Sequence, residues 1–233
     1  MRAFVSSATW VFVLGAFLMW FANHSAAGWI ATTLGADPLL AWFLAVLAVA
    51  AIPLAFVAGL ILSREGYAFT ALSWRERLRF QTMTAPDWRA ALIAVGAVAL
   101  GSTPIAVLLY SIYGPEALEP PFMGTIPLEP DRLWLLLAWF PFWIVNILGE
   151  EILWRGIVQP RQEKIYGSRA WMINAAGWGI FHIAFGWKLL VMLIPILIVL
   201  PWTVQKTANS WTGIFIHAVL NGPSFIAVSL GLF

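Results

Sequence analysis

Apolar residues run in seven long blocks, at roughly 4–22, 38–62, 88–112, 133–157, 170–186, 188–204 and 210–231. A helix that crosses the hydrocarbon of a bilayer uses about 20 apolar residues, so the pattern predicts an all-α fold, a polytopic transmembrane helix bundle of about seven spans (six to eight). The sixth block is short and holds Pro195 and Pro201, so it is expected to be kinked, tilted or re-entrant. No repeat or low-complexity tract divides the chain. Residues 1–233 read as a single integral-membrane domain with no soluble appendage.

Composition agrees with lipid as the solvent. Of 233 residues, 61% are hydrophobic and 10% charged, where an average soluble domain carries about 25% charge. Such a surface excludes a disordered chain, a coiled coil and an ordinary soluble enzyme. The chain has no cysteine, which removes disulfides, thiol nucleophiles and cysteine-ligated zinc. A net charge of +2 suggests no nucleic-acid partner. Trp20, Trp29, Trp88, Trp134, Trp171, Trp187, Trp202 and Trp211 fall near block ends, where indoles anchor at the membrane interface.

The polar stretches set an orientation. Arg64, Arg75, Arg77, Arg79 and Arg89 lie in or beside 63–87, and Glu116, Glu119, Glu129 and Asp131 lie in 113–132. With 63–87 in the cytoplasm, Arg2, those five arginines, Arg161, Lys164, Arg169 and Lys206 fall inside, and only Arg132 and Lys188 outside. The positive-inside bias therefore puts the N-terminus inside. Leu72–Met83 reads as a basic amphipathic helix on an anionic leaflet or as a solvated loop. The first block, with Ser25-Ala26-Ala27 after it, reads as a retained span in preference to a signal peptide.

Charge inside a span is costly, about 2.5–3.5 kcal/mol at a helix centre, and so flags function. One block carries Glu150, Glu151 and Arg155. Glu151 and Arg155 are spaced i, i+4 for an ion pair, and Glu150 is left without a local partner. His24 reads as an exposed loop histidine. His182 and the His217/Asn221 pair lie in two further blocks. Buried polar groups need partners in lipid, so these side chains are expected to meet in one cavity. The known alternatives fail on parts: there is no Gly-x-Ser-Gly-like turn beside a block, no aspartate within one and no His-Glu-x-x-His helix.

Glu150-Glu151-x-x-x-Arg155, then an aromatic four residues before His182, then His217-x-x-x-Asn221, resembles the three-motif pattern of the CAAX-prenyl-protease and bacteriocin-processing (CPBP, or ABI) family of glutamate-dependent intramembrane endopeptidases. The motifs lie within 146–222. The second motif usually opens with phenylalanine; here it opens with Trp178. The resemblance implies that Glu150 is the general base that activates water. His182 would share that water and pass a proton to the leaving amine, His217 and Asn221 would donate to the oxyanion, and Glu151 and Arg155 would orient the site. Asn146, Trp143, Trp154 and Trp178 are candidates for the substrate cavity; helix packing is the other reading of the tryptophans. No cofactor is required; zinc held by Glu150, His182 and His217 is a less favoured variant. The implied partners are a membrane-associated protein or peptide substrate and the lipid bilayer. A compact chain leans towards a prokaryotic inner membrane. A non-catalytic immunity or scaffold protein of the same fold, or a proton-coupled transporter, would use the same residues differently.

Overall fold

The computed structural model describes residues 2–67, 70–114, 117 and 127–232, all helix or connecting turn, with no strand among them. Glu116 and Glu119 lie outside the described residues. A short α1 (Arg2–Ser6) precedes α2 (Trp10–Leu34), α3 (Pro38–Ser63), the seven-residue α4 (Ala71–Arg77) and α5 (Ala85–Tyr113). Next, α6 (Leu135–Glu151) runs through a π-helical turn at Ile152–Val158 into α7 (Gln159–Tyr166), followed by α8 (Ala170–Phe181), α9 (Trp187–Thr207) and α10 (Ser210–Ser229).

Among the described residues, six helical runs are long and apolar enough to cross a membrane. One of them, Leu135–Phe185, has 51 residues, well over twice the length a single crossing uses. It doubles back at Gly167, where φ is +57°. After the turn, Asn174 Nδ2 on α8 donates to Gln162 Oε1 at 3.0 Å and to the Trp154 carbonyl at 3.1 Å. Two arms therefore come from this run, and each of the seven apolar blocks finds its helix. The sixth block is one continuous helix, α9, despite Pro195 and Pro201. Pro195 packs into the groove over Gly101 of α5.

The first block is corrected in its boundaries. The chain breaks at Ala8, and α2 then runs unbroken through a π turn at Ala22–Ala26. His24 is thus helical, not in a loop; it is exposed, donates from Nδ1 to the Trp20 carbonyl (3.0 Å) and stacks on the Trp20 ring. Of the eight interfacial tryptophans, all but Trp171 are exposed, as anchors at a lipid boundary should be.

Helix α8 packs between α2 and α9, α5 lies along α9 and α10, and α10 borders α6. The tightest fit is at Gly177, where a Cβ would run into the ring of Phe12. Ala at a helical Gly position gains about 0.5–1 kcal/mol in backbone terms, but overpacking a core costs about 1–3 kcal/mol. Gly177→Ala is therefore expected to lower the thermal unfolding midpoint in detergent, and Phe12→Leu in the same protein to recover part of the loss.

The two ends of the bundle are tied differently. At one end, Arg77 and Arg161 both pair with Glu65, and Arg79 pairs with Glu163 at 2.6 Å. Ser210 Oγ donates to the Leu78 carbonyl and Gln205 Nε2 to that of Gly167. The arginines of Leu72–Met83 are thus spent largely on internal ties: Arg75 Nε also bonds the Phe80 carbonyl. Burial pushes the Glu65 carboxyl up, but Arg77 and Arg161 outweigh it and hold the group below the usual range.

At the other end, Asp37 caps α3 through the Leu39 amide and takes a two-pronged contact from Arg132 at 2.7 and 3.0 Å. The Arg132 hydrogen bonds hold the Asp37 carboxyl below its ordinary value. A depressed carboxylate contributes stability that is complete above its unfolded pKa, about 4, and is lost as pH falls through the folded one. The midpoint difference between wild type and Asp37→Asn is expected to be constant near neutrality and to shrink below about pH 4. Thermal melts across pH check this.

Candidate active site

The site grows from the end of α6. Glu150 and Glu151 are its last two residues, and Arg155 sits in the π turn that follows. A π turn is a wide turn that recurs at functional positions. Here it frees carbonyls that other elements take up: Arg77 Nη1 donates to that of Gly156 at 2.7 Å, and Asn174 to that of Trp154.

Glu151 is fully buried. Its Oε1 meets Arg155 Nη1 at 3.1 Å, as the i, i+4 spacing predicts, and also His217 Nδ1 at 2.9 Å. The acid thus bridges two helices. Its other oxygen lies over Gly213 of α10, where a Cβ would come within 2.6 Å of it. Arg155 is fully buried as well, and its guanidinium lies 3.7 Å from the centre of the Trp178 ring, a cation–π contact in a dry setting.

Glu150 does have a local partner, contrary to the expectation from counting charges alone. Asn146, one turn earlier, donates to Oε1 at 3.1 Å, and Trp178 Nε1 donates to Oε2 at 2.8 Å. An amide and an indole satisfy the carboxylate without a countercharge. Glu150 stays half-buried, so its remaining lone pairs can meet a reactant.

Trp178 is the common neighbour of the whole group. It is 1% exposed. His182 and His217 both stand edge-on to its ring, at 5.2 and 5.3 Å between centroids. His182 Nδ1 lies 2.8 Å from the carbonyl of Trp178 one turn earlier, which fixes the imidazole and leaves Nε2 free to face a reactant. Asn174 and Trp178 lie one turn apart on one face of α8, and His182, four residues further, opens the 3-10 turn that follows it. That spacing was the available signal for Asn174, a fully buried residue that sequence reasoning passed over.

Not every candidate joins the cluster. Asn221 is exposed on α10, one turn beyond His217, and donates no hydrogen bond to the other site residues. Trp143 packs against Gly222, with its ring 5.5 Å from that of Trp139. Trp154 is fully buried, stacked on Phe12 at 4.3 Å and edge-on to Phe181. In a regular α-helix the i, i+4 step would put the cavity candidate Trp154 on the face of Glu150; across the wide turn at Ile152–Val158 it lies in the core instead.

Residues 132–222 match the family model described as Rce1-like, type II CAAX prenyl endopeptidase Rce1-like. No curated protein and no solved structure matches the chain. The matched stretch holds every member of the cluster, from Asn146 to His217, and Asn221 beyond it. The family read from the three motifs and the family of the matching model are the same.

Proposed function

We propose that this multi-pass membrane protein is a glutamic-type intramembrane endopeptidase. It hydrolyses a peptide bond near the membrane-associated end of a protein or peptide. The observation that carries this reading is the gathering of Glu150, His182 and His217, from three different spans, around the single indole of Trp178. The match over 132–222 supports the class of reaction.

In this reading Glu150 takes a proton from water held between it and His182 Nε2, and the hydroxide adds to the scissile carbonyl. His182, its Nδ1 hydrogen held by the Trp178 carbonyl, receives that proton from Glu150 at Nε2 and passes it to the leaving amine as the C–N bond breaks, which returns Glu150 to the carboxylate. His217 gives its Nδ1 hydrogen to Glu151 and turns Nε2 to the oxyanion. Donating from both nitrogens requires the imidazolium, for which Glu151 is the counter-ion. Asn221, exposed and unengaged, supplies the second donor as substrate enters. One such donor contributes about 2.7–4 kcal/mol to the rate. The step needs no resident metal.

The basic end of the bundle faces the cytoplasm, with the N-terminus inside, and the membrane is a prokaryotic inner membrane. The test compares the termini of membrane proteins in cells carrying wild type or Glu150→Ala. A terminus present only with wild type is expected. Full biological activity of Glu150→Ala would instead establish a non-catalytic scaffold. Activity abolished by a chelator and restored by zinc would replace the metal-free step.

A further inference from the structure

We propose that Trp178 is the positioning residue of the general base, acting through an indole N–H that a phenyl ring at the same place could not supply. The proposal rests on the hydrolytic reading of Glu150.

The geometry is over-determined. The ring of Trp178 is shut from solvent, its face is covered by the Arg155 guanidinium and two imidazoles stand nearly perpendicular to it at 5.2 and 5.3 Å. An indole held on all sides points its N–H in one direction, and in that direction lies Glu150 Oε2 at 2.8 Å. Asn146 holds the other oxygen. A carboxylate presents about four lone-pair sites; with one on each oxygen engaged, its plane is fixed while it can still accept from water. A flexible glutamate at the end of α6 is thereby turned into a preorganised base.

The bond is not a general consequence of burying indoles here. Trp143 and Trp154 also have buried Nε1 atoms, and neither has an acceptor among the described residues. Of these three indoles the paired one is beside Glu150; Trp42, elsewhere in the bundle, donates its own Nε1 hydrogen to Asn23 Oδ1 at 2.7 Å. The same side chain joins Glu150 to Arg155, and through it to Glu151 and His217, so both halves of the site register on one ring.

The test removes the hydrogen without the ring. Benzothienylalanine, which replaces the indole N–H with sulfur, is placed at 178 by nonsense suppression, alongside Trp178→Phe. The carboxylate stretching band of Glu150 is assigned in the purified protein by its loss in Glu150→Gln. The expected result is a displaced band in both Trp178 variants. With a cleavable substrate, kcat should fall about tenfold to a hundredfold, the range for a hydrogen bond to a charged group, with KM little changed and the melting point of the sulfur isostere close to wild type.

An undisplaced band and an unchanged kcat overturn the positioning role alone. A displaced band in a protein whose wild type cleaves nothing overturns the hydrolytic reading, and the positioning role with it.

Discussion

Glu151→Ala is expected to cost about 3–5 kcal/mol of folding stability, because it leaves Arg155 charged and buried with no counter-ion. Arg155 has no exposed surface through which to recover hydration, and the Trp178 face above it gives only about 2 kcal/mol of cation–π attraction when dry. Arg155→Ala strands the opposite charge on Glu151 and should lose a comparable amount, although His217 remains as a donor to it. The double variant Glu151→Leu/Arg155→Met removes both charges. Replacing a buried pair by apolar groups is often neutral or stabilising, so the double variant should melt above either single one. A double-mutant cycle of thermal or denaturant unfolding in detergent reads the coupling directly. Activity is expected to diverge from stability. The refolded double variant should remain impaired, because His217 has lost the carboxylate that holds its Nδ1 hydrogen. If activity returned with stability, Glu151 would be a packing residue and nothing more.

Glu150→Gln is expected to remove hydrolysis with little effect on the fold. General-base catalysis contributes about a hundredfold to ten-thousandfold, and an amide cannot take the proton. Gln has nearly the volume of Glu, and its carbonyl can still accept from Trp178 or from Asn146. The lost acceptor costs about 1 kcal/mol, the net worth of one ordinary hydrogen bond. Glu150→Gln should therefore melt within a few degrees of wild type while Glu151→Ala does not. The two adjacent acids differ in burial, Glu150 half-buried and Glu151 fully buried, and the proposed function assigns the chemistry to the first and mainly structure to the second. Equal losses of stability at 150 and 151 would contradict that division.

Much of this was legible in the sequence because lipid makes polar residues conspicuous. Seven apolar blocks gave seven helical arms, and the scarcity of charge exposed Glu150, Glu151 and Arg155. The ion pair followed from 3.6-residue periodicity. What the sequence hid was geometry that departs from that period. The π turn at Ile152–Val158 turned Trp154 into the core, and nothing in Ile-Leu-Trp-Arg-Gly announces a wide turn. Arg77 looked like a leaflet-binding charge, and its Nη1 instead reaches the Gly156 carbonyl across 79 residues of chain. Such a contact depends on how distant helices meet, not on local pattern. Trp178 was visible as an unusual aromatic, but its role as the shared neighbour of the cluster needed three helices in place.

The most direct measurement is a reconstituted cleavage assay. Purified wild type and Glu150→Gln, matched for folding by their melts, are added in detergent or vesicles to membranes from cells lacking the protein, and the new protein termini are sequenced. The account predicts a terminus that wild type generates within the apolar or juxtamembrane part of a substrate, and that Glu150→Gln fails to generate above background. The same terminus appearing equally with both proteins would contradict it.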